Sequence, residues 1–319
     1  MSTISPPLEA APKFDQSPGR EVLLADGQSQ SLDGLTGDQL HELQWHQEQL
    51  FALAILQSPK ASKERSLATA QAYDTICSLL AAQRIEGQPL IMGMDARYVR
   101  LVLEILDRQV KQGMGQPRFF EIGYGCGEML RQVRDRGFLV GGVEVSTAMR
   151  DKALGTLGER CADQLLLGDL RDVDPKSFST KPSLVYWNDV FEHVCPDEIE
   201  DYLAHIYKML APGGSLVTIT PNWLLRPSDV TGDFCPPRTE ARGLHLKEYR
   251  LAEVSWLLRR AGFRSVATPL VVSKRRIYLA GNGLRWVKQL AEPLIDHLPW
   301  RVAHLLCRGL GLSCTIATK

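Results

Sequence analysis

The chain has 319 residues, and its 37 Lys plus Arg are matched by 37 Asp plus Glu. That balance argues against a polyanion binder, which carries an excess of base, so no nucleic-acid partner is expected. Seven cysteines stand without a CxxC pair, which implies neither a zinc knuckle nor a disulfide scaffold; a reducing, cytoplasmic setting fits best. Residues 1–20 lack the basic start and apolar core of a secretion signal, and no apolar run reaches spanning length.

Residues 1–36 are rich in Ser, Pro, Gly and Gln, and read as a tail too polar to offset its ordering entropy. Residues 37–113 carry three helical patterns: Leu40 to Leu56 stopped by Pro59, Ser66 to Arg84 ending before Gly87 and Pro89, and Asp95 to Gln112. This helical extension pads a sheet edge or, as the family resemblance given below implies, caps the ligand pocket. From Arg118 onward short β-rich runs alternate with helical patterns, the mark of a parallel sheet covered on both faces. The runs predict strands near 118–122, 140–145, 164–168, 183–188, 215–220 and 264–272, with a final strand over 312–318. The domain division that follows is 1–36, 37–113, a core over 114–273, and 274–319 as a helical excursion plus the strand completing the sheet.

The stretch Glu121-Ile122-Gly123-Tyr124-Gly125-Cys126-Gly127 breaks an apolar run into alternating glycines just before a helix resumes. Alternating Gly permits positive φ and leaves no Cβ between main chain and ligand. Glu144 ends the next apolar run, where nucleotide-type folds place an acid for ribose hydroxyls. The G-x-G-x-x-G spacing of dinucleotide folds is absent, which disfavours a nicotinamide dehydrogenase.

Glu121-x-Gly123-x-Gly125-x-Gly127 resembles motif I of the class I S-adenosylmethionine (SAM) dependent methyltransferases. Leu184-Val185-Tyr186-Trp187-Asn188-Asp189-Val190-Phe191-Glu192-His193 is similar to the family's strand 4 signature, and Pro212-Gly213-Gly214 to its turn into strand 5. The resemblance runs from about Arg118 to Phe263. It implies a Rossmann-like α/β fold with a seven-stranded, mostly parallel sheet, and SAM as cofactor. It further implies that Gly123, Gly125 and Gly127 lie under the methionyl group with Glu121 alongside, that Glu144 and Val145 meet the ribose, that Asp169 and Leu170 meet the adenine, and that Asn188 and Asp189 lie near the donor.

His193 is the first candidate for a general base, since imidazole titrates near neutral pH; the competing reading is a histidine that fixes its loop through a backbone carbonyl. His245, in the loop before Leu251, is a second base or a substrate donor, or an exposed loop residue. Neither has metal-ligand spacing; Asp189, Glu192, His193 and His245 would hold an ion only if the fold converged them, so no metal is expected. The proline-bearing loop after strand 5 offers Trp223, Phe234, Arg226 and Arg238 as an acceptor wall. Residues 277–309 combine basic charge with Trp and Leu at helical spacing, as in an interfacial helix on anionic lipid, a lid, or two packed helices. The reading is a methyltransferase for a small or medium-sized organic acceptor, at oxygen because two histidines flank the pocket. Its rivals are a lipid-tailed acceptor at a membrane surface and a SAM-binding protein without turnover.

Overall fold

A computed structural model describes residues 21–83, 95–279 and 284–319. The first elements are a short antiparallel hairpin, β1 (Glu21–Leu23) and β2 (Ser29–Ser31), followed by α1 (Gly37–Gln57), α2 (Lys63–Ala82) and α3 (Ala96–Lys111). Residues 21–36, expected as loose tail, are ordered by packing rather than propensity. Val22 and Leu32 are buried in a cluster with α1 and α2, while Thr75 Oγ1 and Gln71 Nε2 donate to the carbonyls of Leu23 and Leu24. Residues 1–20, the rest of that tail, lie outside the described residues. Each helix starts where a side chain can take an orphan N–H: Thr36 and Gln39 form a capping box, and Ser62 and Asp95 cap the next two.

The core then runs β3 (Arg118–Ile122), α4 (Glu128–Arg134), β4 (Leu139–Glu144), α5 (Thr147–Leu157), β5 (Leu165–Leu167), β6 (Leu184–Asn188), α6 (Ile199–Met209), β7 (Ser215–Ile219), α7 (Thr231–Phe234) and α8 (Leu251–Arg260). Its end comprises β8 (Ser265–Ala267), β9 (Pro269–Val272), β10 (Ile277–Leu279), α9 (Leu284–Asp296), α10 (Trp300–Leu310) and β11 (Cys314–Thr318). The seven-stranded sheet has the order β5-β4-β3-β6-β7-β11-β8, with β11 antiparallel to both neighbours and β3 to β7 parallel. Alternation along each strand feeds two cores: Phe120, Val185 and Trp187 pack with α6 and α8 on one face, Phe119, Tyr186 and Val217 with α3 and α4 on the other. The run 264–272, expected as one strand, is two. Pro269 has no N–H for a ladder, so the chain leaves the sheet at Thr268 and β9 pairs instead with β10.

The crossover between β3 and β6 reverses the direction of strand succession, and the carboxyl ends of both strands open onto one crevice, where such sheets hold ligands. The cap closes it. Arg65 of α2 pairs with Asp197 at 2.7 Å and Glu198 at 3.3 Å, and Asp74 accepts from Ser146 at 2.5 Å, so α2 is fastened to the core at both ends of the opening.

Candidate active site

The crevice is a cavity of about 430 Å³ lined from both the sheet and the cap. At one end the turn after β3 presents bare main chain. Gly125 has φ +50°, and a Cβ there would meet nothing within 4 Å, so this backbone faces open cavity. Gly123, at φ +67°, would put a Cβ 2.6 Å from Val190 Cγ2; its missing side chain lets the loop after β6 close on the turn. Gly127 lies elsewhere, starting α4 and packing on Ala153 and Leu157 of α5.

Glu144 organises this end. One carboxylate oxygen accepts from Gly125 N–H at 2.9 Å, the other from Val145 and Ser146 N–H at 2.8 and 3.1 Å. Burial raises its pKa, and those three donors work to lower it. A carboxylate offers about four lone-pair sites, so one remains for a ligand hydroxyl. Glu121, also on the cavity, is fully enclosed with Oε2 lacking a hydrogen bond. Its burial, then the nearby Glu144 charge, raise its pKa well above the carboxylate range. Val145 and Leu170 line the same end, while Asp169 does not. The Asp169 carboxylate is taken by Arg171, at 2.6 to 2.9 Å, and by Tyr202 Oη at 2.8 Å, so the acid read as facing adenine instead fixes the cavity wall.

The other end is built from side chains. Asn188 ends β6 and Asp189 follows it at φ +51°, a conformation Asp tolerates better than most residues. His193 Nδ1 lies 2.8 Å from the Leu244 carbonyl, so that nitrogen carries the proton and Nε2 keeps its lone pair. Burial, then the charge of His245, push its pKa down to about 3. His193 is therefore a neutral hydrogen-bond acceptor. His245 makes edge contact with it, ring centroids 4.7 Å apart, and has the opposite character. Its Nδ1 is 3.3 Å from Glu248 and its Nε2 is 3.8 Å from Glu192. Burial opposes its charge, but the bond to Glu248 and the Glu192 carboxylate outweigh that and push its pKa up to about 9. It sits as a cation at neutral pH, which removes it as a base there and leaves it as a donor.

Glu192 is fully buried behind the histidines. Thr220 Oγ1 donates to one of its oxygens at 2.9 Å, and burial raises its pKa despite the attraction of His245. One ligand atom from each of Glu192, His193 and His245 falls within 4.8 Å of the others, so the fold does bring the distant His245 to the adjacent pair Glu192 and His193. A second such group, Cys195, Asp197 and Glu198, has its acids committed to Arg65 and Arg171.

A cap was one of the two readings of the N-terminal helices, but sequence reasoning did not single out the cap residues that meet this end. Tyr73 of α2 stands edge-on to His193 at 5.7 Å. Glu48 of α1 accepts from Gln44 at 2.8 Å and from Leu244 N–H at 3.2 Å. Both sit in helical patterns that read as ordinary amphipathic faces; the one signal in the sequence was an acid at Glu48, three residues before Phe51 on the apolar face of α1. The expected wall of Trp223, Phe234, Arg226 and Arg238 lies outside the cavity. The Arg226 guanidinium stacks over Trp223 at 4.1 Å and pairs with Asp296, Arg238 bonds the Leu298 carbonyl, and Phe234 stacks on Trp45 of α1.

A family model described as a methyltransferase domain matches residues 92–268, more than half of the chain. The chain belongs to this family, as a class I, SAM-dependent methyltransferase. Curated relatives named carboxy-S-adenosyl-L-methionine synthase, from strains of Shewanella baltica, are 27% identical over 157 residues, covering 46% of this chain and 63% of theirs. Among solved structures, a SAM-dependent methyltransferase from Archaeoglobus fulgidus is 18% identical, covering 69% of this chain and 94% of that one, with a TM-score of 0.44. A magnesium protoporphyrin IX methyltransferase from Synechocystis, solved with bound SAH, is 20% identical, covering 60% and 85%, with a TM-score of 0.41. In this methyltransferase the match ends before β9, so α9, α10 and the closing strand β11 lie beyond it.

Proposed function

We propose that the chain transfers a methyl group from SAM to a small or medium-sized organic acceptor, at an oxygen atom. The observation carrying this reading is one cavity whose two ends differ in kind. Bare backbone at Gly125 beside the Glu144 carboxylate suits a nucleoside whose ribose donates to the carboxylate. A neutral, carbonyl-fixed His193 beside a cationic His245 suits a hydroxylated acceptor. The residues fit the cofactor: the open space at Gly125 and the remaining lone pair of Glu144 are what a flat, hydroxyl-bearing ligand needs.

SAM, when bound, supplies a methyl on a sulfonium, open to in-line attack. The chain's task is then to hold the acceptor in line and exclude water. His193 Nε2 accepts a hydrogen bond from the acceptor hydroxyl and takes its proton as the oxygen gains positive charge. A low pKa does not prevent this, because an alkylated oxygen is a far stronger acid than imidazolium. His245 donates to a second polar group of the acceptor, its charge held by Glu248 and Glu192.

A lipid-tailed acceptor is a second reading, favoured by the anchoring of α9 to the loop that walls the cavity: Asn222 bonds Glu292 at 2.7 Å, and Arg250 pairs with Asp296 at 2.6 Å.

The test incubates the protein with SAM labelled at the methyl group, against aqueous and lipid extracts in parallel. Mass spectrometry then identifies both the labelled product and the spent nucleoside. Label on oxygen with demethylated nucleoside is the expected outcome. Nucleoside bound but never consumed would favour a binding protein without turnover, and a carboxylated nucleoside would favour the activity named for the Shewanella relatives.

A further inference from the structure

The excursion after β10 carries an apolar stripe that none of the described residues covers. Trp286, Leu290 and Leu294 recur every four residues along α9 and are 59%, 68% and 70% exposed. On α10 Leu305 is 73% exposed, with Val302 and Trp300 exposed beside it. Ordinary surface helices turn such positions inward, and contiguous exposed apolar residues of this size mark an interaction surface.

Charge decides what the surface fits. Residues 284–310 contain two acids, Glu292 and Asp296, and both turn away from the stripe. Glu292 is buried, accepting from Asn222 and from Leu251 N–H; Asp296 is held by Arg226 and Arg250. Lys288 is buried as well, its ammonium on the carbonyls of Pro269 and Leu310. The charge left outside on α10 is positive: Arg301 and Arg308 are exposed, one turn either side of Leu305. Lys274 and Arg275, also exposed, form the tip of the β9–β10 hairpin, and α10 packs on β9.

We propose that α9 and α10 dock on the surface of an anionic lipid bilayer, tryptophans and leucines in the acyl boundary and arginines at the headgroups. A second copy of the chain fits less well. A two-fold contact would set this patch against itself, so its exposed arginines would face a surface whose two acids are already paired. No described helix is long and apolar enough to cross a membrane, so the contact is peripheral.

The experiment is co-sedimentation of the full chain with vesicles of phosphatidylcholine alone or mixed with phosphatidylglycerol. It is repeated for a Leu290→Glu/Leu294→Glu variant and an Arg301→Glu/Arg308→Glu variant, each checked for a wild-type circular dichroism melt. Both pairs are exposed, so the fold should survive. Binding to the mixed vesicles should exceed that to phosphatidylcholine by about tenfold or more and be lost in both variants. Absence of vesicle binding, or binding unchanged by either pair, overturns the proposal. So does a wild-type dimer in sedimentation velocity that the leucine variant dissociates. Since no methyl transfer is read, failure here leaves the proposed reaction untouched.

Discussion

The end of the cavity read as the donor end is built around one turn, residues 121–125, with Glu144, Val145 and Leu170 beside it, whereas the end read as the acceptor end draws on residues from Glu48 to His245. The first is main chain held by one carboxylate, with almost no ionic partner. The second is a stack of histidines and acids from four segments, each holding another's charge or proton. One end is a local device, fixed wherever a strand, glycine turn and helix follow one another; the other exists only after the cap and two loops have packed.

The sharpest way to break this comparison is Gly125→Val. A branched side chain would project into open cavity, and valine at φ +50° is strained in addition. SAM affinity should fall by about 100-fold or more while the core melts within a few degrees of wild type, since no packed atom is met. Titration calorimetry with SAM reads the first and circular dichroism the second. Affinity unchanged would mean that the turn is not the donor end.

That difference also sets what was legible in the sequence. The order of elements, the sheet and the glycine turn were readable because each depends on local spacing: alternating Phe119 and Phe120, Gly125, and Glu144 at a strand end. Asp169 was placed correctly along the chain but not in space, since whether it faces a ligand depends on Arg171 and on Tyr202, a helix away. The hairpin within residues 21–36 escaped for a similar reason. Its strands are three residues each, β2 wholly polar, and α2 supplies the partners. The opposite character of His193 and His245 followed from neither residue alone: burial and the neighbouring His245 charge keep His193 neutral, while Glu248 and Glu192 hold the charge on His245.

His193→Ala probes the acceptor end without touching the turn. If His193 accepts the proton of the acceptor hydroxyl, turnover should fall by roughly 100-fold, with SAM affinity within about threefold of wild type. Single-turnover rates and calorimetry separate the two. Equal losses in both would mean that the ends are coupled, and that His193 shapes the whole cavity rather than addressing the acceptor.

The smallest effect is on stability, and its sign differs between the two histidines. His193, pushed down to about 3 from the ordinary 6.5, resists a proton that the unfolded chain accepts. It therefore costs stability as pH falls below 6.5, by about 1 to 2 kcal/mol at pH 5. His245, raised to about 9, favours the folded state wherever it is charged. Its contribution is fully present below pH 6.5 and lost as pH rises through 9. Urea unfolding of His193→Gln and His245→Gln across pH 5 to 10 reads both against wild type. The His193 variant should gain stability relative to wild type on the acid side. The His245 variant should be less stable than wild type near pH 6 and draw level with it above pH 9. Parallel curves for all three proteins would mean that neither ring is held in the charge state its neighbours impose.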